Sequence, residues 1–320
     1  MAHLTVQPLC EHHLPDAARL VAARYAALRR AAPQLPPRYE DPAELLPRLR
    51  DLAGRAPGAV ALAGGRVAGF LTAYLLDRFR GRPGVFSPEW ANAAAEGGSR
   101  EIYEALYAEL CRLWVADGRA AHGVALFADD GAASEAWRWL GFGLAAADGV
   151  RDLGPLAAPD PGLAIRRAGP ADLAGLAALD AALHRHLMAA PVCLPLEPLR
   201  GHDELAAELA DPAYAFWSAW DGDEAVGFMK FGPASLNACA VIVDPGTASI
   251  TGAYTLPALR GRGVGAALLD RGLAWARAAG YTRCSVDFEP MNTPATRFWL
   301  AHFRLVCLAH VRLIDQSAAP

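Results

Sequence analysis

The stretch with the clearest chemical meaning is a glycine-rich turn at residues 259–266, which reads Leu-Arg-Gly-Arg-Gly-Val-Gly-Ala. It follows a strand predicted at 248–256 and opens a helix predicted at 264–280. Glycines at the start of a helix let the backbone bend tightly and bring successive N–H groups close to a ligand. Arg260 and Arg262, together with the positive end of the helix dipole, make this turn attractive to phosphate. We therefore predict that the turn cradles a diphosphate.

Acidic side chains on a neighbouring predicted strand could take part in proton transfer. In the strand predicted at 284–289, alternation places Ser285, Asp287 and Glu289 on one face. If that face meets a substrate cleft, Asp287 or Glu289 is a candidate general base or a binder of a cationic substrate. A solvated strand face, or pairing with an arginine, explains the same pattern equally well.

Composition limits the class of protein before any motif is considered. The chain has 320 residues, of which 53% are hydrophobic and 20% charged, which favours a folded protein of two domains. Its formal net charge of −4, without blocks of like charge, argues against binding of nucleic acid through a general basic surface. With neither a signal-peptide pattern nor an uncharged apolar window of membrane-spanning length, we expect a cytoplasmic protein without a membrane partner.

Cysteine and histidine usage predicts no metal site and no nucleophile. The six cysteines are scattered without a CxxC pair, which predicts free buried thiols in a reducing compartment. His12 adjoins His13, and His184 and His186 are two residues apart, but neither pair has acidic or thiol ligands at useful spacing. A G-x-S-x-G elbow is also absent.

The two halves of the sequence repeat one plan. Gly69 and Gly227 stand at matching places in two predicted hairpins, and Trp137 and Trp299 at matching places in two predicted helices. Residues 153–162, rich in proline and glycine, form the natural linker. We predict domains at 1–152 and 163–320.

Each half reads as a strand, two helices, a meander of strands, a helix, a strand and a last helix. This order predicts an α/β fold (α+β, with a mixed sheet) in which helices cover the faces of the sheet. An amphipathic helix is predicted at 99–117, with Ser99 as its expected N-cap. The stretches 78–98 and 187–203 give no clear element.

With these motifs in place, the C-terminal half resembles the GCN5-related N-acetyltransferase (GNAT) family. Residues 260–265 match that family's signature Gln/Arg-x-x-Gly-x-Gly/Ala. Residues 255–257, Thr-Leu-Pro, look like its Val-x-Pro, and residues 292–299 are similar to its Asn-x-x-Ala-x-x-Phe-Tyr segment. The resemblance covers about residues 163–315 and implies acetyl-CoA as cosubstrate, with direct transfer of the acetyl group to an amine.

The resemblance also implies roles for individual residues. Main-chain groups of residues 254–256 would pair with the pantetheine arm as another strand would, and N–H groups of residues 260–266 would hold the diphosphate. Asn292 would bond the pantetheine near the thioester, and Phe298 would pack beside the cofactor. The expected cofactor-binding set is Tyr254, Thr255, Leu256, Arg260, Gly261, Arg262, Gly263, Val264, Gly265, Ala266, Asn292, Ala295 and Phe298.

One departure from the family concerns the proton donor. The family's tyrosine, often the donor to the leaving thiolate, is replaced by Trp299, and an indole is no useful acid. Tyr254 is a candidate donor by type and position. The candidate catalytic residues are therefore Asp287, Glu289 and Tyr254.

The N-terminal half resembles the same fold in degraded form. Glu101 and Tyr103 stand where Gly263 and Gly265 stand in the second copy. A side chain there blocks close approach of the backbone, and a carboxylate repels a diphosphate. We expect this copy to be non-catalytic, a support or a wall of the substrate cleft.

We predict an acetyl-CoA-dependent N-acetyltransferase acting on a primary amine of a small molecule or peptide, as a monomer or homodimer. The alternative is a non-catalytic acetyl-CoA-binding sensor or interaction module. A dinucleotide fingerprint, G-x-G-x-x-G/A, also fits Gly261, Gly263 and Ala266, but residues 257–260 intervene between strand and first glycine, which that fingerprint does not allow.

Overall fold

The computed structural model describes residues 4–195, 199, 201–236 and 238–315. The strands in these ranges are β1 (Leu4–Pro8), β2 (Gly58–Ala63), β3 (Arg66–Thr72), β4 (Tyr74–Phe79), β5 (Arg82–Ser87), β6 (Asn92–Ala94), β7 (Ala121–Phe127), β8 (Gly143–Arg151), β9 (Ala164–Arg167), β10 (Ala215–Asp221), β11 (Glu224–Pro233), β12 (Thr247–Thr255), β13 (Arg283–Phe288) and β14 (Arg304–Leu313). The α-helices are α1 (Leu14–Ala31), α2 (Pro42–Ala53), α3 (Ser99–Ala116), α4 (Gly131–Trp139), α5 (Leu173–Met188), α6 (His202–Ala210), α7 (Val264–Ala278) and α8 (Thr293–His302).

These elements fall into two compact units. The first takes the described residues up to 148, together with 239–241 and those from 305 onward, and the second takes those within 149–238 and 242–304. The C-terminal strand therefore belongs by compactness to the first unit, where Cys307 of β14 lies opposite Phe127 of β7. The domain limits of 1–152, 153–162 and 163–320 stay a prediction. They were drawn from the sequence repeat, whereas the two compact units reflect contacts between residues distant in the sequence.

The first unit builds its core around α3. Strands β1, β2, β3 and β6 form a four-stranded sheet, while β5 runs parallel to β7 and antiparallel to β4. Apolar residues of α3 recur at helical spacing, so Ile102, Leu106 and Leu110 lie on one buried face. That face packs against Trp137 of α4 and the two sheets in one apolar cluster.

The second unit is organised around β11. Its strands follow the order β13-β12-β11-β10-β9, and only the β12–β13 pair is parallel among the neighbours with a described register. Phe228 packs with Leu176 and Leu179 of α5, whereas the Phe231 ring lies 6.3 Å from that of Trp275 on α7. Residues 228 and 231 of one strand point to opposite faces. Helices α5 and α7 therefore cover opposite faces of this sheet.

Several expectations from the sequence can be judged directly. The strand predicted at 248–256 is β12, and the helix predicted at 264–280 is α7. The predicted N-cap of α3 is wrong: Gly98 is the N-cap, and Ser99 is the first helical residue, with a buried Oγ that has no hydrogen-bond partner. The expectation of buried thiols holds for only half of the cysteines, since Cys10 and Cys193 are exposed and Cys111 is half-buried.

The stretch at 78–98, which the sequence left unassigned, contains the end of β4, β5 and the short β6. No helix in the described part of the chain combines the length and hydropathy that crossing a bilayer would require.

Close packing between α7 and β11 gives a testable expectation. A Cβ at Gly272 would overlap the ring of Phe231, so we expect Gly272→Ala to lower the melting temperature. Helix propensity alone would favour alanine by about 1 kcal/mol, but overpacking costs about 1–3 kcal/mol. The control is Gly131→Ala at the start of α4, where a Cβ meets no atom within 4 Å. Thermal unfolding that ranks both variants equally would contradict this packing.

Candidate active site

Strands β12 and β13 run side by side for only part of their length. Their parallel register begins with Thr247 opposite Arg283 and ends with Ile250 opposite Val286. β12 continues to Thr255 along its other neighbour, β11. Because pairing to β13 ends before β12 does, the main chain of residues 251–255 has an edge at which an extended ligand can bind.

A bulge in β12 lies at the point of separation. Lys230 of β11 is opposite Gly252, but the next residue, Phe231, is opposite Ile250. Thr251 is therefore the extra residue, and its main-chain groups do not follow the regular ladder with β11. On the paired side of this point, the hydroxyl groups of Ser249 and Ser285 are 2.7 Å apart. The two strands are thus held together up to the bulge and separate beyond it.

The glycine turn connects the end of β12 to α7. Gly261 and Gly263 have φ values of 75° and 85°, a left-handed conformation that side chains with a Cβ adopt at a cost. Gly263 is the N-cap of α7, and no side chain caps the helix there. The first N–H groups of α7 therefore have no partner within the helix and are available to an anion.

Close packing explains the third glycine. A Cβ at Gly265 would lie 3.2 Å from the ring of Phe298 on α8, tighter than ordinary van der Waals contact. Glycine at position 265 thus lets the beginning of α7 lie against α8.

A cavity of about 600 Å³ lies where these features meet in the second unit. Most of the residues predicted to bind the cofactor line it: Tyr254, Thr255, Arg260, Gly261, Gly263, Val264, Gly265, Ala266, Asn292, Ala295 and Phe298. Leu256 and Arg262 do not. The N–H of Leu256 donates to the carbonyl oxygen of Val226, and the Arg262 side chain is exposed.

Arg260 is positioned by the end of β12. Its Nε donates to the carbonyl oxygen of Thr255 at 3.1 Å, and its guanidinium carbon lies 5.4 Å from the centre of the Tyr254 ring. Cation–π contact of this kind steadies both side chains. The cavity therefore has a fixed positive charge beside a phenol, next to the glycine turn.

The N-terminus of α8 supplies a polar group on the opposite side of the turn. Asn292 is the N-cap of α8, but its side chain makes no capping bond. Its Oδ1 instead lies 3.2 Å from Nε2 of His186, on α5. The His186 ring is in turn 6.1 Å from the Tyr254 ring. Asn292, His186 and Tyr254 thus form a polar group within the cavity lining.

Several lining residues lie outside the predicted cofactor-binding set, and the two histidines among them, His186 and His302, were not singled out from the sequence as site residues. Burial, and to a lesser extent the charge of Arg151, lowers the pKa of His302, so this imidazole stays neutral at neutral pH. His186 lies three residues after Leu183, another lining residue, so both share one face of α5. That spacing was visible in the sequence, but nothing local indicates that this face meets a cavity.

The predicted acids lie near the separation of the strands but do not line the cavity. Asp287 follows Val286, the last residue of β13 that pairs with β12, and Glu289 lies beyond the end of the strand. Burial raises the pKa of Asp287, although its side chain keeps accessible surface. A carboxyl group in a concave part of the surface has both properties, because many protein atoms surround it while water still reaches it.

Comparison with known proteins places this architecture in a class. Over 98% of this chain and 96% of the other, the fold is similar to a GCN5-related N-acetyltransferase from Sphaerobacter thermophilus, with 17% sequence identity and a TM-score of 0.58. It is also similar to a glucosamine N-acetyltransferase region of a fungal multi-domain GH3 β-N-acetylglucosaminidase, with 13% identity and a TM-score of 0.51 over 97% of this chain and 38% of the other. The chain therefore has the mixed α/β fold of the GNAT type.

Residues 181–303 match the model of the acetyltransferase (GNAT) family. This segment contains β12, the glycine turn and α8, and it is similar to the domain of that family. The match of this segment implies transfer of an acyl group from an acyl-CoA to an acceptor. No curated protein matches the chain.

Proposed function

We propose that the protein is an acetyl-CoA-dependent N-acetyltransferase whose acceptor is a primary amine of a small molecule or peptide. The observation that carries the proposal is the cavity in the second unit, where a strand edge, a glycine turn and an asparagine side chain that does not cap its own helix meet. These three features provide main-chain bonds for an extended arm, N–H groups for a diphosphate, and an amide near the point of chemistry.

The shape of the turn supports coenzyme A. A Cβ at Gly263 would lie 2.5 Å from Cγ of Pro159, and one at Gly265 would crowd Phe298, so side chains are excluded where the diphosphate would lie. Arg260 adds a positive charge at the same end. The pantetheine arm would then follow residues 254–256 toward Asn292, with the Thr251 bulge close to the thioester. Acetyl as the acyl group follows from the family resemblance and is the part that turnover must test.

The reaction would be direct attack of the amine nitrogen on the thioester carbonyl, which breaks the carbon–sulfur bond and releases CoA. The amine must lose a proton, and we assign that step to Asp287, directly or through water. The leaving thiolate must gain a proton, for which Tyr254 is placed in the cavity lining. Main-chain N–H groups at the bulge would stabilise the oxyanion. No covalent intermediate on the protein is needed.

Trp299 supports the alternative of an acetyl-CoA-binding module without catalysis. Its indole is buried and lines the cavity, where it packs edge-on against Phe298 with ring centres 4.8 Å apart. This position offers packing and no transferable proton. An asparagine and a tyrosine in the same lining, however, keep polar chemistry available, which favours the enzyme.

The first unit supports its expected non-catalytic role. Tyr103, at the position of Gly265, is fully buried, and its hydroxyl donates to Oδ1 of Asn92 at 3.1 Å. The side chain of Arg24 forms an ion pair with Asp130, the N-cap of α4 and the counterpart of Asn292. The places that serve the cofactor in the second unit are thus occupied by the side chains of Tyr103 and Arg24 in the first.

Two measurements on the purified chain separate the possibilities. Calorimetry should show binding of acetyl-CoA, and a thiol assay should show CoA release that depends on an added amine from a panel of amino sugars, polyamines, amino acids and peptides. Binding without amine-dependent release would leave the sensor and overturn the enzyme. Binding of NAD(P) in place of acetyl-CoA would overturn both.

A further inference from the structure

A buried cluster of ligand atoms in the first unit takes no part in the proposed reaction. A carboxylate oxygen of Asp148 and the sulfur atoms of Cys239 and Cys307 all lie within 4.8 Å of one another. All three residues are buried, and Cys307 has no accessible surface. They come from β8, from the loop between β11 and β12, and from β14. Three segments far apart in the sequence therefore bring two thiols and a carboxylate to one place.

We propose that Asp148, Cys239 and Cys307 bind a thiophilic divalent metal ion, with Zn²⁺ as the best fit. Two thiolates and one carboxylate are a donor set that zinc accepts. Zinc lies about 2.3 Å from sulfur and about 2.0–2.2 Å from oxygen, so tetrahedral ligand atoms are roughly 3.5–3.8 Å apart. A cluster already within 4.8 Å needs only small side-chain adjustments to reach that spacing.

The loop that carries Cys239 is held in place by bonds to other buried side chains. Oδ1 of Asp148 accepts the N–H of Cys239 at 3.0 Å, and Oε1 of Glu89 accepts the N–H of Val241 at 2.9 Å. The hydroxyl of Tyr39 donates to the carbonyl oxygen of Ala240 at 3.1 Å. Such support around a ligand orients it before a metal arrives, as metal sites require.

Charge favours a cation over packed thiols alone. Glu89 is fully buried and acts electrostatically on both Cys239 and Cys307, as does Asp148. Two protonated thiols can pack as small apolar groups. Main-chain N–H groups of Cys239 and Val241 already offset part of the cost of burying the two carboxyl groups, and a bound cation would offset it further. A divalent cation bound by two thiolates and a carboxylate would join all of these groups in one site.

Titration with Co²⁺ as a spectroscopic probe tests the proposal. The full-length protein, purified without a histidine tag and stripped with a chelator, should bind Co²⁺ stoichiometrically with a thiolate-to-cobalt charge-transfer band. Added Zn²⁺ should abolish that band. Co²⁺ uptake without a thiolate band, or no uptake beyond that of a Cys239→Ser, Cys307→Ser double variant, would overturn the site.

Cys284→Ser is the matched control, since Cys284 is equally buried but lies on β13 outside the cluster. It should keep the band that Cys239→Ser loses. If the cluster variants do not fold, alkylation of the wild-type protein followed by mass mapping gives the answer. Cys239 and Cys307 are buried and react only when the fold opens, so Zn²⁺ should slow their alkylation while Cys10 and Cys193, both exposed, react as before. A disulfide between Cys239 and Cys307 in the isolated protein, or no protection, would refute the proposal. None of these readouts depends on acetyl transfer.

Discussion

Gly263→Ala is expected to weaken acetyl-CoA binding by roughly 5–30-fold. Gly263 has a φ of 85°, and a left-handed conformation costs an alanine about 1–2 kcal/mol, which corresponds to roughly 5–30-fold in affinity. If the alanine kept the left-handed conformation, this cost would reduce the binding free energy. If it left that conformation, the N–H groups of the turn would no longer point toward the diphosphate. The added Cβ would also meet Cγ of Pro159, another residue of the cavity lining, at 2.5 Å.

Gly280→Ala is the matched control for this prediction. Gly280 follows the other end of α7 with a φ of 89°, and a Cβ there meets no atom within 4 Å. Both variants place an alanine in a left-handed conformation at an end of α7, but only Gly263→Ala also crowds Pro159, so it should lose at least as much stability in thermal unfolding as Gly280→Ala. Calorimetric titration with acetyl-CoA should distinguish them. Equal affinities would show that the turn at Gly263 does not hold the cofactor.

Asp287→Asn is expected to lower turnover by about 100-fold or more while acetyl-CoA still binds, since a positioned general base contributes about 10²–10⁴-fold. The amide keeps the shape of the carboxyl group but cannot accept the amine proton at neutral pH. Initial rates with a saturating amine, with binding measured separately, test this expectation. Glu289→Gln should be compared directly, because Glu289 lies beyond the end of β13 and is the competing candidate.

The pH dependence of the wild type supplies a second test of Asp287. Burial raises its pKa, so the acid limb of the rate profile should lie above the usual range of an aspartate, with activity lost as the pH falls through the raised pKa. Asp287→Asn should remove this limb. A limb that persists unchanged in the variant would assign the base to another group, for which His302 in the cavity lining is the next candidate.

Stability should change in the opposite direction from activity at Asp287. A folded-state pKa above the unfolded value means that the folded protein holds the proton more tightly, so its stability falls as the pH rises from the unfolded to the folded pKa. Above that window the cost of ionising Asp287 is fully present, and Asp287→Asn should raise the melting temperature at neutral pH. The control Asp221→Asn, on the exposed hairpin end of β10, should change neither activity nor melting temperature.

The cofactor side of the candidate site followed from local pattern. The run of apolar residues before position 256, the glycines after it and the apolar spacing of α7 are short-range signals, and each appears in the structure within two residues of its predicted limits. The glycines are informative because left-handed backbone and close approach are requirements that few other residues meet. The prediction of Ser99 as an N-cap was wrong because Gly98 is the N-cap of α3. Two neighbouring residues were both of capping type, and the sequence alone did not distinguish them.

The acceptor side and the division of the chain depended on contacts between distant residues. His186 meets Asn292 across 106 positions, and Cys307 meets Asp148 and Cys239 from the C-terminal strand. Such pairs have no local period, since strand pairing and helix packing bring them together only once the sheet has formed. The sequence by itself determined the fold class, the repeat and the glycine turn, because backbone geometry selects residue types at short range. The tertiary structure alone decided which side chains surround the cavity and which unit contains β14. Both depend on which strand edges pair and which helix faces pack together, and the local sequence does not specify these contacts.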